Sequence, residues 1–189
     1  MKSITVLGAL ATIVLTTHVQ ANQDVSGFYI GGGLGSTFSN SDSSSFYSDT
    51  HGSTLKLIGG YQFNRIVAIE TQYTKYGDVT PLRNENDYKW APSTISLAAN
   101  LGYTFQNGLR PFTTIGLSSL NLNQTTKKID DNNATAARLG LGLEYTPANL
   151  SNINFRAGYE ADAFTLNSPS KSDTDVILSS LYLAASYKF

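Results

Sequence analysis

From Gly27 onward, apolar and polar residues alternate along the chain in runs of about ten, separated by polar stretches. The clearest run is Thr94 to Phe105. Ile95, Leu97, Ala99, Leu101, Tyr103 and Phe105 take one parity, and Thr94, Ser96, Ala98, Asn100, Gly102 and Thr104 the other. Side chains alternate across a strand with period 2, so this run is a strand with one apolar and one small, polar face. The same rhythm recurs in Gly27–Phe38, Leu55–Phe63, Val67–Tyr73, Leu109–Leu120, Ala137–Tyr145, Ile153–Ala161 and Val176–Phe189, which predicts eight strands. The Leu109 run is the least regular, because Pro111 interrupts it and Phe112 falls on the inner parity.

The connections alternate in length. Asn64-Arg65, Gln106-Asn107-Gly108 and Pro147–Ser151 are tight turns, with Asn-Gly a strong hairpin pattern. Between them lie four long polar segments, Ser39–Ser53, Asp78–Pro92, Asn121–Thr135 and Asp162–Asp175. Strands of this length cross a bilayer when tilted, and short periplasmic turns with long extracellular loops are the outer-membrane arrangement. The expected fold is all-β: an eight-stranded antiparallel transmembrane β-barrel with both termini in the periplasm. Only alternate residues of each strand meet lipid, so the mean hydropathy of −0.15 looks ordinary. Aromatic residues gather near strand ends, where interfacial girdles sit, and Trp90 fits the outer one.

Ahead of the strands, Met1-Lys2-Ser3, the apolar stretch Ile4–Thr16 and the small residues of Val19-Gln20-Ala21 have the layout of a secretory signal peptide. The apolar run is too short for a membrane-spanning helix. Residues 1–21 are therefore expected to be cleaved, leaving 22–189 as a single barrel domain. The absence of Cys excludes a disulfide framework and thiol chemistry. Without Lys2 the chain carries a net charge of −2, which offers no footprint for nucleic acid.

The last strand, ending Ser186-Tyr187-Lys188-Phe189, resembles the C-terminal strand of Gram-negative outer-membrane barrels. Gly27-Phe28-Tyr29-Ile30-Gly31-Gly32-Gly33-Leu34-Gly35 is similar to the first strand of the eight-stranded family that includes the OmpA transmembrane domain, OmpX and the opacity proteins. The resemblance implies residence in the bacterial outer membrane, among its lipid and lipopolysaccharide. It also implies that Tyr187 and Phe189 are read by the outer-membrane assembly machinery. Nothing in the sequence matches the peptidoglycan-binding domain of full-length OmpA, so cell-wall anchoring is not implied.

Arg138, Glu144, Arg156 and Glu160 fall on strands whose other face is apolar. A one-residue slip would put charges in lipid, at about 2–4 kcal/mol for Arg at mid-bilayer, so these four are expected to point inward. If Tyr145 faces Ile153, Arg138 lies opposite Glu160 and Glu144 lies diagonal to Arg156; a shift of two reverses which pair is direct. Lys56 and Glu70 are also expected inside and close to diagonal. An eight-stranded barrel is only wide enough for side chains to fill, which favours a structural ion-pair plug over a conducting path.

Other chemistry is thin. His51 and Ser53 echo the His-x-Ser spacing of lipid A deacylase barrels, but they lie in a Ser-rich loop rather than on a strand beside an orienting carboxylate. The glycine-rich Gly31–Gly35 and Gly140-Leu141-Gly142 precede no helix, so they are expected to provide room inside a narrow barrel rather than to cradle phosphate. Asp130-Asp131-Asn132-Asn133 and Asp173-Thr174-Asp175 lack the rest of a calcium loop. No catalytic residue, metal or cofactor is expected. The sequence reading is a non-enzymatic barrel for envelope integrity or adhesin-like surface interaction; the alternative is a small OmpW-like channel or porin for small or apolar solutes. The long segments hold ten acidic and five basic residues, and any host or surface ligand would meet Phe46, Tyr47, Tyr88, Trp90 and Phe164.

Overall fold

The computed structural model describes residues 26–41, 48–50, 52–77, 79–81, 92–121, 133–168 and 171–189. Ten strands follow in order: β1 (Gly27–Ser41), β2 (Ser48–Thr50), β3 (Ser53–Gln62), β4 (Val67–Lys75), β5 (Val79–Pro81), β6 (Ser93–Gly102), β7 (Leu109–Asn121), β8 (Asn133–Tyr145), β9 (Ile153–Ser168) and β10 (Lys171–Lys188). All but β2 and β5 close into one barrel in the order β1-β10-β9-β8-β7-β6-β4-β3. Every neighbouring pair is antiparallel, and closure comes from β1 against β10, where Ile30 faces Tyr187. β2 and β5 form a separate two-stranded sheet between the first two long connections.

The tight turns sit at the same end as the start of β1 and the end of β10. Asn64 Oδ1 accepts hydrogen bonds from the Ile66 and Val67 amides at 2.8 and 2.9 Å. Gly108 donates to the Phe105 carbonyl and adopts φ +82, the left-handed residue that closes a three-residue hairpin loop. A 3-10 turn, Ala148–Leu150, joins β8 to β9.

Alternation runs round the whole barrel. Leu183 and Ile95 are 69% and 63% exposed on the outside, while Lys56, Glu70, Arg138 and Glu160 are 0% exposed inside. An outer surface of Leu, Ile and aromatic side chains is far too large for water and suits lipid. Around the turn end runs a ring of aromatics in edge-on contact, from Phe28–Tyr61 at 4.7 Å to Tyr187–Phe189 at 5.2 Å.

Two sequence boundaries need correction. Tyr103–Phe105 lie beyond the end of β6. The segment Asp162–Asp175, read as a long loop, is mostly strand: β9 runs to Ser168 and β10 begins at Lys171. Its polar residues disguised a hairpin that extends past the apolar band.

Candidate functional site

The lumen is packed in layers. At the loop end, Tyr76, Leu120, Ala136, Phe164, Val176 and Leu178 form an apolar cap, with Ala134 against it. Below it, Arg138 donates from Nε and Nη2 to the two oxygens of Asp162 at 2.8 and 2.6 Å. Asp162 also accepts from Tyr76 and Ser118. Arg138 then donates to Gln72, Ser96 and Thr94.

One layer further down, Lys56 meets Glu160 at 2.5 Å and lies 4.5 Å from the centre of the Tyr182 ring. Arg138 stands 3.5 Å from the same carboxylate, while Tyr182 and Gln72 donate to its other oxygen. Below that, both terminal nitrogens of Arg156 reach Glu70, at 3.1 and 2.5 Å. Tyr29, Gln72 and Asn100 complete the Glu70 shell. Glu144 is shared: Oε2 accepts from Arg110 at 3.0 Å, and Oε1 lies 2.5 Å from Arg156 Nη2 at an angle that makes an ion pair rather than a hydrogen bond.

Four cations (Lys56, Arg110, Arg138, Arg156) and four carboxylates (Glu70, Glu144, Glu160, Asp162) thus interlock across the barrel. Burial of this many charges is tolerable only because each has an opposite partner and further hydrogen bonds. The glycines make the space. A Cβ on Gly60 would lie 2.6 Å from the Tyr29 ring, and one on Gly158 would lie 2.8 Å from the Tyr182 ring.

The six inward residues named from sequence all point into the lumen, but their pairing differs in detail. Tyr145 faces Phe155, not Ile153, so Glu144 is directly opposite Arg156, and Arg138 is opposite Asp162 with Glu160 diagonal. Lys56 and Glu70 do not pair. Lys56 faces Thr74 and Glu70 faces Gly60 on the β3–β4 ladder, and each takes its ion partner from β9 across the lumen.

Two members were missed. Arg110 shares the inward parity of Phe112 but sits beside Pro111, and Asp162 shares the parity of Glu160 but opens a polar segment that predicts a loop. Parity would have found both. Phe164 is likewise corrected: it is 5% exposed and packs inward, so it offers no loop contact. Without Asp162 the long segments hold nine acids and five bases, a net charge of −4. His51, Phe46, Tyr47, Tyr88 and Trp90 lie outside the described residues. Tyr187 and Phe189 face outward at the turn end, 49% and 74% exposed.

Beneath the charged layers a cavity of ≈ 650 Å³ opens at the turn end, lined by Tyr29, Gln62, Arg110, Glu144, Asn154 and Arg156 among others. The Arg110–Glu144–Arg156 layer thus forms part of this cavity's lining. Among the described residues, no group of three or more His, Cys, Asp or Glu is arranged to hold a metal ion.

Residues 7–189 match the family described as outer membrane protein beta-barrel domain. No curated protein sequence matches the chain. Solved structures do. Neisserial surface protein A (NspA) is similar with a TM-score of 0.65 and 16% identity, over 86% of this chain and 97% of that one. Ail, the attachment invasion locus protein of Yersinia pestis, gives 0.57 and 16%, over 86% and 99%. The N-terminal barrel domain of Pseudomonas aeruginosa OprF gives 0.52 and 17%, over 86% and 98%.

Proposed function

The chain belongs to the outer membrane protein beta-barrel domain family, and we propose that within it this protein is a non-enzymatic scaffold that presents its loops at the cell surface. The bacterial outer membrane is where this family resides, and the apolar outer surface and aromatic ring of the barrel suit that setting. The observation that carries the scaffold reading is the closed lumen. An apolar cap and layers of interlocked charges fill the bore from Phe164 down to Glu144. A barrel so filled spends its strands on holding loops in place, which supports a role in surface interaction or envelope integrity.

The orientation belongs to the same proposal. The short turns, the start of β1 and the end of β10 share one end, and in outer-membrane barrels that end is periplasmic. Residues 1–21 serve as the cleaved export signal. The last strand engages the assembly machinery, and the outer face meets lipid and lipopolysaccharide. Ail has been crystallised with the heparin analogue sucrose octasulfate; the acidic long segments here argue for a different ligand.

Planar-bilayer recording of the purified, refolded barrel tests the reading. The expected result is a silent bilayer. Regular single-channel steps that change size in Arg138→Ala would overturn it in favour of a small channel.

A further inference from the structure

The chain enters the barrel with a swerve. Phe28 faces outward and Tyr29 inward, so unbroken alternation would send Ser26 outward. Ser26 instead lines the cavity at the turn end. Gly27 explains the change. It takes φ +154, a backbone conformation that residues with a side chain rarely adopt, and a Cβ there would lie 2.8 Å from the Phe189 backbone oxygen. At Ser26 the chain is therefore already turned towards the mouth of the bore.

The cavity behind Ser26 has polar groups still to satisfy. Arg110 uses its terminal nitrogens on Asn100, Glu144 and the Ile66 carbonyl, yet its buried Nε donates to nothing. Asn154 gives its amide to Thr146, yet its buried Oδ1 accepts from nothing. Both residues line the cavity. Buried donors and acceptors left unmade are costly, so an occupant that brings a carboxylate to one and an N–H to the other is held there. Side-chain charge points the same way. Arg110, Arg156 and Lys188 line the cavity against Glu144, and Glu70 behind it takes up only one of the three cations.

We infer that the occupant is the chain's own segment Asn22-Gln23-Asp24-Val25, which joins Ser26 directly. Asp24 is the carboxylate of that segment and answers Arg110, while the amides of Asn22 and Gln23 are donors for Asn154. Four extended residues reach about 13 Å, and a cavity of ≈ 650 Å³ is about 11 Å across if round. Tethered at the rim, the segment competes at high effective concentration against any free solute. The inference takes from the reading above only the removal of residues 1–21. While they stay attached, the apolar run Ile4–Thr16 has no place in a polar cavity, so the seat fills once the leader is gone. The bore is then closed from the periplasmic end as well.

The test uses the mature chain, residues 22–189, refolded in detergent micelles. Exchange of the Arg110 Nε proton with water, followed by NMR, reads whether the cavity is filled. The expected result is exchange at least tenfold faster in Asp24→Asn than in the unaltered chain, with Asp24→Glu close to the latter. In a chain beginning at Ser26, exchange should be equally fast and should slow again when the free tetrapeptide Asn-Gln-Asp-Val is added in excess. The chain contains no cysteine, so Asn22→Cys takes a single nitroxide label. The amide signals of Thr146 and Asn154 should then lose at least half their intensity, a loss that Asp24→Asn reverses.

Equal exchange in Asp24→Asn and the unaltered chain would overturn the proposal, and so would unbroadened signals at Asn154. Slowing of the shortened chain by inorganic phosphate but not by the tetrapeptide would also overturn it, and would make the cavity a seat for a small anion. Should the shortened chain not fold, the two Asp24 variants decide alone. The mass of the barrel recovered from outer membranes separates the two readings. A chain that begins at Asn22 and shows no broadening loses the seat only, whereas one that still begins at Met1 loses the leader reading and the seat with it.

Discussion

Replacing Arg138 with Ala is the sharpest perturbation of the lumen. Arg138 is fully buried and makes five hydrogen bonds, two of them to Asp162. Without it, Asp162 keeps only the hydroxyls of Tyr76 and Ser118 and no cation. Leaving a buried charge without its counter-ion costs about 3–5 kcal/mol. The other three partners, Gln72, Ser96 and Thr94, lose charge-assisted hydrogen bonds worth about 1.5–3 kcal/mol each, less whatever water restores. The loss should therefore be at least about 3 kcal/mol, a drop of about 1 M or more in the urea midpoint of the refolded barrel. Lys56→Ala should cost less, about 1–3 kcal/mol, because Glu160 retains Arg138 at 3.5 Å and the Tyr182 and Gln72 donors. Asp162→Asn placed on top of Arg138→Ala should recover part of the loss, since the orphaned charge is gone. Equilibrium urea unfolding in micelles, followed by tryptophan fluorescence and by the gel-mobility shift of folded barrels, measures all three. A loss below about 1 kcal/mol in Arg138→Ala, or a larger loss in Lys56→Ala, would refute the reasoning and mean that the lumen is wet enough to solvate its own charges.

Gly158→Ala should destabilise the barrel by about 1–3 kcal/mol in the same assay, because the new methyl would sit 2.8 Å from the Tyr182 ring, and Tyr182→Phe should not rescue it. Removing Phe189 should lower the amount of barrel recovered from outer membranes while leaving detergent refolding of purified protein largely intact; equal yields in cells would count against the assembly role. The mature barrel should bind immobilised heparin weakly or not at all at physiological salt, given a net −4 on the long segments. A salt-sensitive interaction tighter than about micromolar would restore a sulfated-polysaccharide adhesin.

The sequence by itself determined the architecture, and the reason is period 2. One parity of every strand had to face lipid and the other a narrow bore, so the inward or outward position of Arg138, Glu144, Arg156 and Glu160 followed from their neighbours. Turn chemistry determined the hairpins as well: Asn107-Gly108 makes its tight turn because Gly108 reaches φ +82 without a Cβ. Strand ends were harder to read. Once β9 leaves the apolar band its residues turn polar whether or not pairing continues, so Asp162 and Phe164 looked like loop. Partner identity was settled only by the tertiary structure. Lys56 reaches Glu160, and Glu70 reaches Arg156, across a closed bore over separations of 104 and 86 residues. Register, barrel closure and the reach of long side chains fix those distances together, and none of the three is local to the sequence.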